Sequence, residues 1–354
     1  MKTRDFIIDY DIPVLITGSS GFIGSKVVEM LLERGFSNLR CLVRPSSNLT
    51  TLNGLIAKYS AAKIDLIRGN LLSARDCEKL TENISVVYHL AAARGHKSYP
   101  DAYLNTVVAL RNLLDATVRT DTVKRFVNVS SFTVYSNIKL ERGELLDESC
   151  DLEANPHSRG EAYCYAKVKQ DQLVLEYAGK YGLPYVIVRP GVVYGPGNPG
   201  ITGRVGISTF GIFLHLGGSN TLPLTYVDNC AEAIALAGLK PNVDGEVFNV
   251  VDDDLPTSRK LLVMYKKNVK NFRSIYVPYP LFYLFSSIWQ KYSIWSNGQL
   301  PPLFTTCRCS AYWKGNKYSN EKIKKLLEWK PRVNFNEASQ RYFEYCKKVA
   351  RNHD

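Results

Sequence analysis

The sequence predicts an α/β fold built on a doubly wound parallel sheet, with a smaller substrate-binding part toward the carboxyl end. Three observations carry that expectation. Short runs rich in β-branched residues alternate with segments of helical length, a glycine-rich turn follows the first run, and Pro/Gly punctuation from Gly195 to Gly206 ends the regular alternation. In order, Val14–Thr17, Leu39–Val43, Ile64–Arg68, Val86–Leu90, Arg125–Ser130 and Tyr185–Arg189 read as six strands. Phe22–Arg34, Ala102–Val118 and Glu161–Tyr181 have the length and apolar spacing of helices between them. No internal repeat is visible, which argues against a solenoid.

The chain has 354 residues, 45% of them apolar, enough for an ordinary core. Asp5, Asp9 and Asp11 place charge where a secretion signal needs an apolar stretch, so a cytoplasmic location is expected. The eight cysteines lack a repeated pair spacing and read as reduced thiols, and the close pair Cys307 and Cys309 is too little for a zinc site. Charge is uneven. Residues 259–354 hold 19 Lys and Arg against 5 Asp and Glu, while residues 1–258 hold 26 against 28. Such a field favours an anionic partner, whether substrate phosphates, an acidic membrane surface or nucleic acid, unless it is only a solvated face. Pro280–Trp295 is rich in aromatic residues, but its apolar core falls short of the roughly 20 residues of a spanning helix. A buried lid or pocket helix is expected there, with a membrane-surface helix giving peripheral contact as the alternative.

Thr17-Gly18-Ser19-Ser20-Gly21-Phe22-Ile23-Gly24 stands between the first strand and the first helix, the context of a Rossmann-type dinucleotide loop. Gly18 permits the turn, Gly21 lets backbone approach a pyrophosphate, and Gly24 lets helix and strand pack. Helix amino-terminal N–H groups then face the phosphates. After the second strand an acid would hold a ribose 2′-hydroxyl, whereas Arg44, followed by Ser46 and Ser47, suits a 2′-phosphate. The expected cofactor is NAD(P), with NADP favoured over NAD. Residues 1–190 are accordingly expected to form mainly the cofactor domain and residues 191–354 mainly the substrate-binding part, with some segments returning to the sheet.

Tyr163 and Lys167 stand four apart in an expected helix and share one of its faces. Ser131 follows a strand and so lies at a carboxyl end, where open α/β sheets bind ligands. A free Tyr ionises near pH ~10, so lowering that by about three units takes roughly 4 kcal/mol of phenolate stabilisation. A lysine and the positive nicotinamide can supply it. Tyr163 would then act as general acid or base, with Ser131 hydrogen-bonded to the substrate oxygen.

Together these residues resemble the extended short-chain dehydrogenase/reductase family, which contains the nucleotide-sugar epimerases and dehydratases and the 3β-hydroxysteroid dehydrogenases. The likeness runs from about Val14 to Pro331 through TGSSGFIG (17 to 24), HLAA (89 to 92), Asn105 before Asn112-Leu113-Leu114, SSFTVY (130 to 135), YCYAK (163 to 167), RPGVVYGPG (189 to 197), YVDN (226 to 229) and FNV (248 to 250). The resemblance implies Tyr163 as acid/base, Lys167 as ribose ligand and tuner of Tyr163, and Ser131 as the catalytic hydroxyl. It places Gly18, Ser20, Gly21, Phe22, Ile23, Gly24, Arg44, Asn70, Leu71, Leu90, Ala91, Ala92, Asn105, Pro190, Gly191, Val192 and Val193 around the cofactor. By analogy it also implies a homodimer.

Departures from the family pattern bear on substrate. Asn70 replaces the acid near adenine in the G-D-L element. Phe132 and Thr133 stand where dehydratases carry an Asp-Glu pair, which disfavours dehydration. Gly191 and Leu222-Pro223-Leu224-Thr225 lack the Asn and Arg that touch the nucleotide in many sugar-nucleotide enzymes. The leading expectation is a redox enzyme or redox epimerase acting on a nucleotide-linked sugar, and the rival is a 3β-hydroxysteroid-type oxidoreductase for an apolar alcohol or ketone. A non-catalytic cofactor sensor or nucleic-acid-associated protein would use the basic segment, but has no need of Ser131, Tyr163 and Lys167, so no nucleic-acid partner is expected. His89 reads as packed under the cofactor; His96, His157 and His215 read as loop or surface residues, and no metal is expected. Asp228 reads as a turn organiser or backbone-amide acceptor, with direct substrate contact as the alternative. Lys322, Lys324 and Lys325 beside Glu321 and Glu328 read as an exposed helix face before Trp329-Lys330-Pro331.

Overall fold

A strand buried on both sides must send successive side chains into two different cores. Val14 and Ile16 enter one apolar cluster and Leu15 the other. The computed structural model describes residues 5–93, 98–297 and 299–351. Its main sheet has seven parallel strands: β1 (Val14–Thr17), β2 (Asn38–Val43), β3 (Lys63–Arg68), β4 (Val86–His89), β5 (Arg125–Val129), β6 (Tyr185–Pro190) and β7 (Val247–Val250). They lie in the order β7-β6-β5-β4-β1-β2-β3. The order reverses between β1 and β4, which opens a crevice at their carboxyl ends.

The expected six strands are therefore seven. The added one, β7, is the short FNV run, and it pairs with β6 through Val247↔Ile187 and Asn249↔Arg189. Four residues bounded by Gly245 and the acidic Asp252–Asp254 carry too little periodicity to be read as a strand without their partner. The helices Gly24–Glu33 and Val227–Leu239 cover one face, while Ala74–Thr81, Ala109–Thr117 and Ala162–Tyr181 cover the other. The expected single helix over Ala102–Val118 is Tyr99–Tyr103 and Ala109–Thr117 joined by a π-helical turn at Leu104–Val108. At that turn Thr106 Oγ1 accepts the Ala93 N–H at 3.0 Å, tying the helix to the loop after β4.

Later segments build the smaller part. A hairpin, Gly206–Thr209 with Ile212–His215, pairs in parallel with Ser274–Tyr276, and Val192–Tyr194 pairs with Leu224–Tyr226. His215, expected at the surface, is a buried strand residue whose Nε2 lies 3.0 Å from Ser258 Oγ. Strand membership, invisible from a lone histidine, decides its burial. Tyr279–Trp295 is a helix, and the expectation of a buried lid there is wrong: within it Phe282, Ser286 and Ser293 are buried, while most of its large apolar side chains are exposed. Lys322 and Lys324 do lie on a charged helix face, paired with Glu246 and Asp253, above the fully buried Trp329.

Tyr88 reaches from β4 to the Val227–Leu239 helix to donate to Ala235 O at 2.8 Å, and a Cβ on Gly238 would stand 2.2 Å from its oxygen. Gly179 sits on an exposed helix surface with nothing within 4 Å of such a Cβ. Gly238→Ala is expected to cost about 1–3 kcal/mol by overpacking, whereas Gly179→Ala should stabilise by roughly 0.5–1 kcal/mol. Urea unfolding of the two variants checks both signs.

Candidate active site

The crevice between β1 and β4 is formed by chain that cannot carry larger side chains. Gly18 has φ +70°, and a Cβ there would meet Ala91 N at 2.9 Å; a Cβ on Gly24 would stand 2.0 Å from Gly18 O. The first glycine thus seats the loop against the end of β4, and the last lets the helix start on the loop itself. Ser19 Oγ donates to Leu42 O at 3.0 Å, fastening the loop to β2 as well. The helix opens on Ile23, whose side chain caps nothing, and its first turn holds no acid. Its amino-terminal dipole is left to an anion, the chemistry a pyrophosphate requires.

Two adjoining cavities share Gly18, Gly21, Leu90 and Ala92. One, of about 430 Å³, is lined by Ser20, Arg44, Asn70, Leu71, Ala91 and Asn105 among others. The other, of about 380 Å³, is lined by Phe22, Ile23 and Gly24 and by Ser131, Tyr163, Lys167, Pro190, Gly191 and Val193. Of the expected cofactor residues, Val192 falls elsewhere. It lines a separate cavity with Tyr194 and Tyr342, which Val193 also borders. Leu42, Ser47, Gly69, Leu72, Ala93 and Ala109 also line the first cavity, and Val129 and Ser130 the second; all but the helical Ala109 share position at a strand end or on the first turns beyond it.

The catalytic candidates come together from two elements, the end of β5 and the Ala162–Tyr181 helix. Ser131 leaves β5 and accepts the Thr133 N–H at 3.3 Å, opening a 3-10 turn over Phe132–Val134. Phe132 is packed in an apolar cluster, and Thr133 O accepts from Arg159 at 2.7 Å and from Cys164 Sγ at 3.1 Å. Neither residue lines the reacting cavity. Tyr163 stays 37% exposed at the mouth of the Ala162–Tyr181 helix, and the Lys167 Nζ lies 5.9 Å from its ring centre. Lys167 is buried and donates to Val129 O and Gln170 Oε1, both at 2.8 Å.

One turn farther along the same face, Asp171 is fully buried. Its carboxylate accepts from Arg189 Nε at 3.1 Å and from Asn128 Nδ2 at 3.0 Å. Arg189 Nη1 donates to Tyr135 Oη at 3.0 Å, and that hydroxyl donates to Asn249 Oδ1 at 2.8 Å. This network joins β5, β6 and β7 to the helix that carries Tyr163. Sequence reading quoted Arg189, Tyr135 and Asn249 only as motif letters and missed Asp171, whose signal is its spacing of four from Lys167.

Several expectations about neighbouring residues change. Asn70 lines the cavity, yet its Oδ1 accepts the Leu72 N–H at 3.0 Å and is committed to the turn. Among the described residues Asp228 accepts no backbone amide; it pairs with Lys26 at 3.2 Å and Arg341 at 3.8 Å. The amide acceptor is Asp252, which takes the Tyr226 N–H at 2.8 Å and Asn229 Nδ2 at 2.9 Å, and burial pushes its carboxyl up to about 6. Gly191 leaves no room for the larger residue many sugar-nucleotide enzymes carry there, since a Cβ would stand 2.2 Å from Pro223 O. His157 is exposed, and His96 lies outside the described residues. All eight cysteines are free, and among the described residues no cluster of three His, Cys, Asp or Glu is placed to hold a metal.

His89 is fully buried with Nδ1 2.9 Å from Thr17 Oγ1, which also accepts the Ala91 N–H at 3.3 Å. Burial first, and the Lys167 charge second, push its pKa down to about 3, so the ring stays neutral under the crevice. Between that value and the usual ~6.5 the unfolded chain binds the extra proton. Stability therefore rises with pH across the window and is lost as pH falls through it, levelling off below about pH 3. The His89 contribution is about 1.4 kcal/mol per pH unit below roughly pH 6. Urea midpoints at successive pH values should fall more steeply for the wild type than for His89→Asn, a comparison in which the shared Asp252 contribution cancels.

Comparison with known proteins follows the same lines. The profile of the NAD dependent epimerase/dehydratase family matches residues 14–250. An uncharacterized UDP-glucose epimerase of Bacillus subtilis is 28% identical over 67% of this chain and 76% of its own length. The decarboxylating sterol-4-alpha-carboxylate 3-dehydrogenase of Mus musculus is 23% identical over 92% of this chain and 88% of its own. Some other relatives are longer proteins, matched over only 36% of their length. The structure of UDP-glucuronic acid 4-epimerase from Bacillus cereus, in complex with UDP-glucuronic acid and NAD, superposes with a TM-score of 0.70 at 22% identity, covering 95% of this chain and 99% of that one.

Proposed function

This chain belongs to the NAD dependent epimerase/dehydratase family, as an enzyme of the extended short-chain dehydrogenase/reductase type, and on that premise we propose that it moves a hydride and a proton at a C–OH/C=O carbon of a nucleotide-linked sugar. The observation that carries the reading is the common cavity lined by Ser131, Tyr163, Lys167, the glycine loop and Pro190–Gly191. Bound NAD(P) supplies the hydride acceptor and donor. Tyr163 takes the hydroxyl proton of the substrate and later returns it, Ser131 hydrogen-bonds the same oxygen, and the buried Lys167 ammonium favours the phenolate. Gly18, Ser20, Gly21, Phe22, Ile23, Gly24, Leu71, Leu90, Ala91, Ala92 and Asn105 hold the cofactor from its phosphates to its adenine. In an epimerase the substrate ketone turns over before hydride returns to its other face, so no external redox partner is consumed.

The sugar reading draws on the epimerases among the relatives and on the basic segment 259–354, which attracts a diphosphate. A second reading, an apolar alcohol or ketone, is favoured by Gly191 and the uncharged Leu222–Thr225 segment and by the sterol dehydrogenase matched over nearly the whole chain. Incubation with UDP-glucose, UDP-N-acetylglucosamine and a 3β-hydroxysteroid separates them. Sugar interconversion without net reduced cofactor is expected, and reduced cofactor appearing only with the steroid would select the second reading. A homodimer joined through the Tyr99–Thr117 and Ala162–Tyr181 helices, where Tyr103, Leu104 and Leu175 are exposed, is part of the same proposal. The eight free cysteines accord with a cytoplasmic setting.

Tyr163→Phe should lower turnover by about 10²–10⁴-fold while leaving cofactor affinity nearly unchanged, measured by steady-state rates beside cofactor titration. Unimpaired turnover would remove Tyr163 from the chemistry. NADP is proposed over NAD because Arg44 and Ser47 line the adenosine half of the crevice. Arg44→Ala should weaken NADP by about 1.5–3 kcal/mol and leave NAD affinity little changed in fluorescence titrations. Equal losses for both cofactors would instead assign Arg44 to stacking on adenine.

A further inference from the structure

The Tyr279–Trp295 helix is mounted inside out. Its inner side packs Phe282 against Trp313 and Phe304, with ring centres 5.1 and 5.7 Å apart, sets the partly buried Trp289 on Phe304 at 5.5 Å, and buries the small residues Ser286 and Ser293. Ser293 Oγ donates to Leu300 O at 2.6 Å, and Gln290 Oε1 accepts the Thr306 N–H at 3.0 Å, so the returning chain covers this polar side. Leu281, Leu284, Ile288, Tyr292 and Trp295, spaced three or four apart on one face, are 47 to 76% exposed. That spacing makes a continuous stripe, with Phe285 along one edge and the exposed Lys291 along the other. Ile275 and Tyr276, on the edge strand that runs into the helix, are exposed as well.

The charge around the stripe is one-signed. From Leu255 to Asn320 the chain holds ten Lys and Arg and no Asp or Glu. Arg259, Lys260, Lys267, Arg273, Lys291 and Lys317 of that stretch are exposed. A second copy seated stripe to stripe by a twofold axis would bring this basic stretch against itself. An anionic lipid surface would neutralise it, and the Tyr and Trp rings suit the boundary between headgroups and acyl chains. Among the described residues no helix is long and apolar enough to cross a membrane.

We propose that the exposed stripe of the Tyr279–Trp295 helix, with its flanking lysines and arginines, docks the enzyme peripherally on an anionic lipid surface. The helix lies in the plane of the interface with Leu284 and Ile288 as its central anchors. Reaction chemistry plays no part in the proposal, so it stands or falls apart from the substrate assignment.

The test is sedimentation of the full chain with sucrose-loaded vesicles of phosphatidylcholine alone, and of equal parts phosphatidylcholine and phosphatidylserine. At least about tenfold more protein is expected on the anionic vesicles, and added salt should lower it. The double variant Leu284→Glu/Ile288→Glu should fall to the level of neutral vesicles while keeping wild-type NAD(P) affinity, which shows that it is folded. Lys291→Glu should lose part of the anionic preference alone. Wild-type binding that is absent, or retained in full by the double variant, would overturn the proposal. So would a wild-type oligomer that sheds subunits in the double variant without any vesicle binding, which would give the stripe to a second copy of the chain.

Discussion

The buried contact of Arg189 with Asp171 is the point on which the reacting end of this molecule depends. Both side chains are withdrawn from water, and such a pair is held only where the remaining hydrogen-bonding capacity is met. Asn128 fills the second carboxylate oxygen and Tyr135 takes the other arm of the guanidinium. The pair therefore pins the Ala162–Tyr181 helix to β6 at one register. Lys167 and Tyr163 lie one and two turns from Asp171 on the same face, so that register delivers both to the carboxyl ends of the strands. A slip of one residue would turn both side chains roughly 100° away from the crevice.

The crevice itself is set by backbone approach rather than by side-chain recognition. Gly18 and Gly24 remove atoms that would otherwise collide with Ala91 and with the loop, and Ser19 ties the loop to β2. Under that loop Thr17 and the neutral His89 close the gap between β1 and β4 with one hydrogen bond. Uncharged packing there leaves the positive end of the first helix as the principal field acting on the phosphates, with Lys167 supplying a point charge deeper in. The two halves of the crevice thus differ in kind: dipoles and Arg44 at the adenosine end, titratable side chains at the other.

Away from the site, the carboxy-terminal half follows a different logic. Its core is secured by aromatic packing around Phe282 and Trp313 and by side chains that cap returning backbone, and this frees one helix to expose its apolar face. Burial of that face against the body would have required the outer surface to be polar. Phe282 is the one large apolar side chain of the helix that is fully turned in, beside two serines, while Leu281, Leu284, Ile288, Tyr292 and Trp295 are turned out, so most of its apolar surface lies away from the body.

Local pattern settled much of this protein before any fold was in view. Strands β1 to β6, the glycine loop, Arg44, and the Ser131, Tyr163 and Lys167 set are legible because each depends on short-range features: alternation, turn-forming residues and helical spacing. Tertiary structure decided what depends on a distant partner. The run Val247–Val250 became a strand only by pairing with β6, His215 became a core residue by lying on a strand against Ser258, and Asp252 rather than Asp228 became the amide acceptor because it was carried to the end of that paired strand. The outward face of Tyr279–Trp295 could not be read in advance for the same reason. Amphipathic spacing states that a helix has two faces, and only the packing of Phe304 and Trp313 against Phe282 states which one is turned to the solvent.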